Sequence, residues 1–494
     1  MEDEKKSYQQ VMKATSLFGG VQVIRILVTV IRSKIMALLL GPEGVGISNL
    51  LTRPLQLITV ATQLGLDKSA VKEISAHYKK GQETQAYRMI AILKRLVWIT
   101  AIIGALFTII FSGILSKFTF DSYEYTYTFM WLGLAVIFNQ LAMSNLAVLQ
   151  GLRKLAFLAK ANIYGAIAGL IVTIPLYYYL KLDGILPAIV MTSGFVFLFA
   201  YLFAKRIVKV RTSVTNKTVF SEGKPMIKLG LALSFSSIIG LVVAYLILVY
   251  IRAEGGKIEA GFYGAGIAIL NNYVGLIFNA MSTDYYPRLA AVCDDIKAVI
   301  KTVFEQAFIG ILLITPVVIV FIAFAPLFIS LLYSNEFEPA VALVRWGILG
   351  MVFKAVSWSI GYVIIAKGDS KLFTKTAIFF NSILLALNVI GYYYWGLEGI
   401  GMSLLIYFII HYIGVRILTY YRYGFKMKAG FYPIFLMCIL LCTAAFIATY
   451  IETPLFKYGV LIGLIIISSL YSFRLLDTKI GFRSLVNTIL KRKK

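Results

Sequence analysis

Apolar runs of about 20 residues recur along the whole chain, each long enough to cross a ~30 Å hydrocarbon core as a helix. This feature constrains the fold most. At membrane depth every backbone polar group must be satisfied internally, and a helix does that within one segment. About 14 spans are expected, at roughly 16–40, 46–66, 89–115, 128–150, 161–180, 185–204, 229–251, 261–283, 303–333, 340–366, 374–395, 397–420, 431–450 and 458–475. Of the 494 residues, 60% are hydrophobic, against roughly 45–50% in soluble domains. The expectation is an all-α polytopic membrane protein. A cleaved signal peptide is not expected, because the first apolar stretch carries internal arginines and has no small-residue cleavage site before Gly41.

The net charge of +25 is unevenly placed. With the N-terminus inside, the inward loops hold Lys68, Lys72, Lys79, Lys80, Arg88, Arg153, Lys154, Lys160 and the run from Lys205 to Lys228, and the chain ends Lys491-Arg492-Lys493-Lys494. The outward loops hold only Lys117, Lys181, Arg252, Lys257 and Lys457. This asymmetry predicts both termini in the cytoplasm. The basic excess is then mostly topology. It attracts anionic membrane lipids, and it does not point to nucleic acid, since no soluble domain carries a folded basic face. Cys293, Cys438 and Cys442 give no disulfide framework, and His77 and His411 are too few and too far apart for a metal centre. Each histidine reads as an interfacial or packing residue, and no cofactor is implied.

The chain contains an internal repeat. Gly151 and Lys154-Leu155 match Gly368 and Lys371-Leu372 at an offset of 217, while Tyr177-Tyr178-Tyr179 and Leu182-Asp183-Gly184-Ile185 match Tyr392-Tyr393-Tyr394 and Leu397-Glu398-Gly399-Ile400 at an offset of 215. Spans 1–6 and 7–12 read as tandem copies, giving an N-lobe over 1–228, a C-lobe over 229–428, and spans 13–14 with a basic tail over 429–494. Six spans per copy is even, so both copies insert in the same orientation, and transporters of this kind bind cargo where the halves meet.

Charged residues inside spans are read first as functional. Span 1 sets Gln22, Arg25, Thr29 and Arg32 at spacings of 3, 4 and 3, on one helical face. Lys34 points elsewhere and can snorkel to the interface. Span 2 repeats the pattern with Asn49, Arg53, Gln56 and Gln63. Pro54 removes a backbone hydrogen bond beside Arg53, so a broken helix is expected there. The two stripes are expected to line a wet cavity, where a guanidinium can grip phosphate bidentately and stay charged. The second half is less basic. It offers Asn272 and Asn279 on span 8, Lys354 in the middle of span 10 and Arg345 near that span's end. Arg252 and Arg288 read as interfacial anchors or accessory cations.

The 23 acidic residues fall in loops, tails or span ends, with Glu305 nearest to a span interior. The span arginines therefore have no fixed counter-ion in the sequence, and a bulky anion such as a pyrophosphate fits that role. The same lack argues against a proton-coupled exporter of cations. No Gly-rich phosphate loop is present and the longest outward loop, about 116–127, is short, which disfavours ATP hydrolysis and loop-based catalysis.

Phe18-Gly19-Gly20-Val21-Gln22-Val23, Arg32-Ser33-Lys34, Leu40-Gly41-Pro42-Glu43-Gly44-Val45-Gly46-Ile47 and Thr283-Asp284-Tyr285-Tyr286-Pro287-Arg288-Leu289 resemble segments of the O-antigen translocases of the bacterial polysaccharide transporter family. Its wider superfamily includes the flippase for the peptidoglycan lipid precursor and the multidrug and toxin exporters. The resemblance implies a flippase, not an enzyme, that moves an undecaprenyl-diphosphate-linked oligosaccharide across the bacterial cytoplasmic membrane by alternating access. It implies a cationic cavity at Arg25, Arg32 and Arg53, with Lys354 the best candidate in the second lobe, and the glycan polymerase machinery as a partner. The rivals are a multidrug or metabolite exporter, a membrane enzyme of glycan assembly and a non-transporting scaffold.

Overall fold

In the computed structural model the described residues are 2–208 and 214–480. Among them the regular structure is helical throughout. The helices are α1 (Glu2–Gln63), α2 (Leu66–Lys79), α3 (Glu83–Ile110), α4 (Ser112–Phe120), α5 (Thr126–Gly151), α6 (Leu155–Leu180), α7 (Ile185–Ile207), α8 (Asn216–Ala268), α9 (Leu276–Ala291), α10 (Ile296–Ala323), α11 (Ala325–Leu332), α12 (Ala340–Ala366), α13 (Ser370–Tyr423), α14 (Tyr432–Ala448) and α15 (Pro454–Ile480). Nine helical segments of the described residues are long and apolar enough to cross a membrane, three of them more than 50 residues long. The fold is an all-α polytopic membrane protein of about 14 helices.

Helices of that length would overshoot the bilayer if straight, at ~1.5 Å per residue against a ~30 Å core. Each is turned part-way. α1 breaks at Gly41 (φ 64°, ψ −168°), α8 at Gly256 (φ 80°, ψ −176°) and α13 at Gly396 (φ 55°, ψ −138°). These values lie where a Cβ is poorly tolerated. Between α6 and α7 the equivalent residue is Lys181, with φ 50° and ψ −126°. Pro42, directly after Gly41, starts the second arm of α1 in the position that favours proline. The break expected at Pro54 does not occur, and α1 stays helical through it. Thr52 donates its hydroxyl to the Ser48 carbonyl (2.8 Å) next to the turn that proline weakens, and hydroxyls of this kind help such helices tolerate proline.

These breaks fix the repeat more sharply than the residue matches do. Gly41 and Gly256, Lys181 and Gly396, and Arg153 (φ 55°) and Gly368 (φ 68°) all stand 215 residues apart. The turns agree in hydrogen bonding: Lys154 N donates to Leu149 O and Asp369 N to Ile364 O, again at an offset of 215. The match of Gly151 to Gly368 at 217 is therefore a local slip of two residues.

The chain divides into two compact units, one of 1–261 with 332–334 and the other of 262–331 with 335–494. In the first unit the amphipathic α2 buries Leu66, Ala70 and Ile74 against Ile90, Leu93 and Val97 of α3, Leu141 and Val148 of α5, and Val219 and Met226 of α8. A buried polar link ties three helices of this unit together. Gln140 of α5 donates to Thr62 of α1 (2.7 Å) and accepts from Thr100 of α3 (2.9 Å). In the second unit α12 packs on the second arm of α13. Gly350 meets Leu404 and Phe408, Gly401 meets Leu343 and Trp346, and the α13 arms close on each other through Gly391 and Gly399.

Candidate functional site

Arg32 and Arg53 lie on the two arms of α1, either side of Gly41, and both are half-buried. The Arg32 Nε is buried with no hydrogen-bond partner. Asn49 is half-buried and Gln56 is exposed one turn from Arg53. Gln63, at the end of the stripe, is buried, and its Nε2 has no partner. Lys34 has an interaction of its own. Gln22, Arg25 and Asn279 lie on described helices, but their side chains fall outside the described residues.

The ion pairs resolved among the described residues lie at helix ends and turns. They join Arg88 to Glu222, Lys117 to Asp121 (2.7 Å), Lys257 to Glu43 (3.7 Å) and Arg422 to Asp369 (2.9 Å). None of these four takes up Arg32, Arg53 or Lys354. An unpaired cation at membrane depth is costly, and one guanidinium nitrogen on α1, the Arg32 Nε, is buried without a partner.

In the second unit, Lys354 of α12 is held between rings. Its Nζ lies 5.5 Å from the Phe278 ring centre and 5.2 Å from that of Phe408, within cation–π range. His411 packs on Phe380 with ring centres 4.5 Å apart, as a packing histidine should. The chain from Ile269 to Val274 winds as a π-helix, which leaves Asn271 and Asn272 both exposed. Such segments are rare and favour functional sites. Arg345 is half-buried with its Nε unpartnered, and Arg288 donates to Gln306 (3.4 Å). Arg252 donates to the Phe118 carbonyl (3.0 Å).

Sequence patterns missed the seam between α1 and α8. A Cβ on Gly46 would meet the Lys257 carbonyl and stand 3.0 Å from the Gly261 nitrogen. A Cβ on Gly261 would meet the Pro42 carbonyl and stand 3.1 Å from the Gly46 nitrogen. Pro42 and Lys257, like Gly46 and Gly261, are 215 apart, so this contact maps onto itself when the repeats are exchanged. It is a local two-fold joint within one chain. Beside it Lys257 donates to the Tyr125 hydroxyl (3.1 Å) as well as pairing with Glu43. At the other end of the same arm Gly65 (φ 64°) meets the Gly230 carbonyl, and Ser234 Oγ is 2.5 Å from where its Cβ would be. The glycines were visible in the sequence, but their partners were not.

An all-helical fold of long apolar helices with an internal repeat defines a polytopic membrane protein. The profile of the family described as "Polysaccharide biosynthesis protein" matches residues 35–342, and the chain belongs to that family. Its fold is shared with the lipid II flippase MurJ in an inward closed conformation (TM-score 0.67, 13% identity, covering 96% of this chain and 100% of that one). It is shared equally with an inward-facing multidrug resistance MATE family transporter of the MOP superfamily (TM-score 0.67, 15% identity, 81% of this chain and 94% of that one). A variant of the Vibrio cholerae MATE transporter VcmN is similar as well (TM-score 0.58, 15% identity, 83% and 96%). No curated protein matches the chain in sequence.

Proposed function

We propose that this protein is a flippase, not an enzyme, which carries an undecaprenyl-diphosphate-linked oligosaccharide from the inner to the outer leaflet of the bacterial cytoplasmic membrane. Both termini are cytoplasmic in this reading. The observation that carries it is the buried, unpartnered Arg32 Nε in an apolar arm of a polysaccharide-biosynthesis family member. Arg25, Arg32 and Arg53 neutralise the diphosphate in a hydrated cavity, Lys354 adds a cation from the second lobe, and Gln22, Asn49, Gln56, Asn272 and Asn279 hydrogen-bond the sugars. Arg345, Arg252 and Arg288 are accessory. The prenyl tail stays in lipid, and alternating access exposes the head outside. The polysaccharide-biosynthesis family match and the lipid II flippase fold, which covers 96% of this chain, support a lipid-linked cargo. The polymerase that joins repeat units is the partner such a cargo requires.

The test uses a strain that lacks this gene and any redundant flippase but retains the rest of its glycan pathway. Labelled lipid-linked oligosaccharide should accumulate on the inner leaflet, and wild type should relieve this while Arg32→Ala and Arg53→Ala should not. Full export by either variant in well-expressed protein would remove the cavity assignment. Normal distribution without the protein would remove the flippase itself in favour of an exporter or scaffold.

A further inference from the structure

Two cations at the turn from α13 to α14 belong neither to the four resolved ion pairs nor to the cavity reading. α13 ends at Tyr423, and Gly424 closes it with φ 68°. Residues 425–428 then run without helix, burying Phe425 and Met427 while Lys426 stays exposed. α14 starts at Tyr432 after a single 3-10 turn. Between this turn and the last two turns of α13 lies a pocket of about 530 Å³, a volume that suits a small ligand or a headgroup.

Arg416 and Lys426 are its charged lining residues, and no carboxylate lines it. Arg416 is positioned rather than loose: its guanidinium lies 5.0 Å from the Tyr432 ring centre. The Lys426 Nζ lies 5.1 Å from the Tyr420 ring centre. Their neighbour Arg422 is taken by Asp369, through both Nε (3.1 Å) and Nη2 (2.9 Å), so that carboxylate does not answer the pocket cations. The rest of the lining is apolar or aromatic, with Ile413, Ile417 and Tyr421 exposed along α13. Tyrosines and cations where an apolar helix gives way to a loop mark the headgroup level of a bilayer.

We propose that this pocket binds the phosphate of an anionic glycerophospholipid. Arg416 and Lys426 hold the phosphodiester, and an acyl chain lies along Ile413 and Ile417. Two cations without a carboxylate select a lipid with net negative charge, because they repel the choline or ethanolamine ammonium of a zwitterionic headgroup. The hydrocarbon face separates a lipid from free phosphate, which has no use for Ile413 and Ile417. This site is independent of the cargo assignment and stands or falls without it.

The test is native mass spectrometry of the purified full-length protein in micelles, with phosphatidylglycerol and phosphatidylcholine of the same chains added in equal amounts. Wild type should retain phosphatidylglycerol preferentially. Arg416→Gln and Lys426→Gln should each lower that retention about fivefold, from the usual attraction of one surface cation to anionic lipid, while Arg416→Lys with Lys426→Arg should keep most of it. Ile417→Trp fills the pocket without touching either charge and should also lower retention, so the test survives if a glutamine variant misfolds. Retention in both glutamine variants equal to wild type, or equal retention of phosphatidylcholine by wild type, overturns the site. Displacement of phosphatidylglycerol by millimolar inorganic phosphate overturns the lipid assignment in favour of free phosphate.

Discussion

Where α8 meets α1 at Gly46 and Gly261, and the turn after α1 at Gly65 and Gly230, backbone meets backbone with little or no side chain between. Around Lys354 in the second unit side chains make the contacts, with Phe278 and Phe408 on the cation, Trp358 packed on Phe278 and Tyr285 on Trp358. The first arrangement depends on atoms that are missing and the second on atoms that are present. Without a hydrophobic drive between helices in lipid, close backbone approach through small residues is one way to hold them together. Ring cages are another, and they can also house a charge. The two regions should therefore respond oppositely to mutation: the seam fails when atoms are added and the cage fails when they are removed.

Removing Phe408 should have the largest effect. Phe408→Ala should destabilise the protein by about 3 kcal/mol, the low end for a buried phenylalanine, and should slow glycan export by freeing Lys354. Thermal unfolding in detergent and export in cells measure both, and an unchanged melting temperature would break the contrast. At the seam, Gly46→Ala or Gly261→Ala should cost about 1–3 kcal/mol by overpacking, while Gly463→Ala, whose Cβ would meet nothing within 4 Å, should fall within about 0.5 kcal/mol of wild type. If all three melt alike, the backbone contact carries no load. The repeat sharpens the comparison further. Lys181 holds a conformation that its counterpart Gly396 adopts as glycine, so Lys181→Gly should stabilise by about 1 kcal/mol and Gly396→Ala should destabilise by at least as much. A destabilised Lys181→Gly would separate the two turns.

The smallest effect concerns Asp369, outside the spans. The Leu372 backbone N–H, and then Arg422, hold its carboxyl below the usual carboxylate range. A depressed folded value means that its contribution is fully present above the unfolded value of about 3.9 and is lost as pH falls through the folded one. Asp369→Asn should therefore flatten the acid limb of stability below about pH 4 and leave neutral pH unchanged, which acid titration of melting temperature would detect.

Much of the fold was legible because membrane depth leaves the chain few options. Twenty-residue apolar runs could only be helices, and the gap between the first two spans falls where α1 breaks at Gly41. Pro54 misled, because a proline removes one hydrogen bond but a neighbouring hydroxyl such as Thr52 helps a helix continue. The repeat was legible from tyrosines and charges, yet its register became clear only from left-handed backbone at Arg153 and Gly368, where the residue types differ. The site was half legible. Spacing put Arg32 and Arg53 on stripes, but it could not say that the Arg32 Nε is buried without a partner. Nor could it foresee the seam, since which glycine faces which carbonyl is decided by segments 165 to 215 residues apart. The Gln140 link escaped for the same reason, because one glutamine and two threonines on three helices form no local pattern.

The joint at Gly46 and Gly261 has a mechanical consequence. A Cβ on either glycine would meet only main-chain atoms of the facing helix, so the bearing surface is bare backbone. Parting it would cost that contact and the Lys257–Glu43 ion pair that reaches across it. Such a joint behaves like a dry bearing, firm while closed. The selective chemistry of its rim is left to Glu43, Lys257 and Tyr125, the groups that act as its latch.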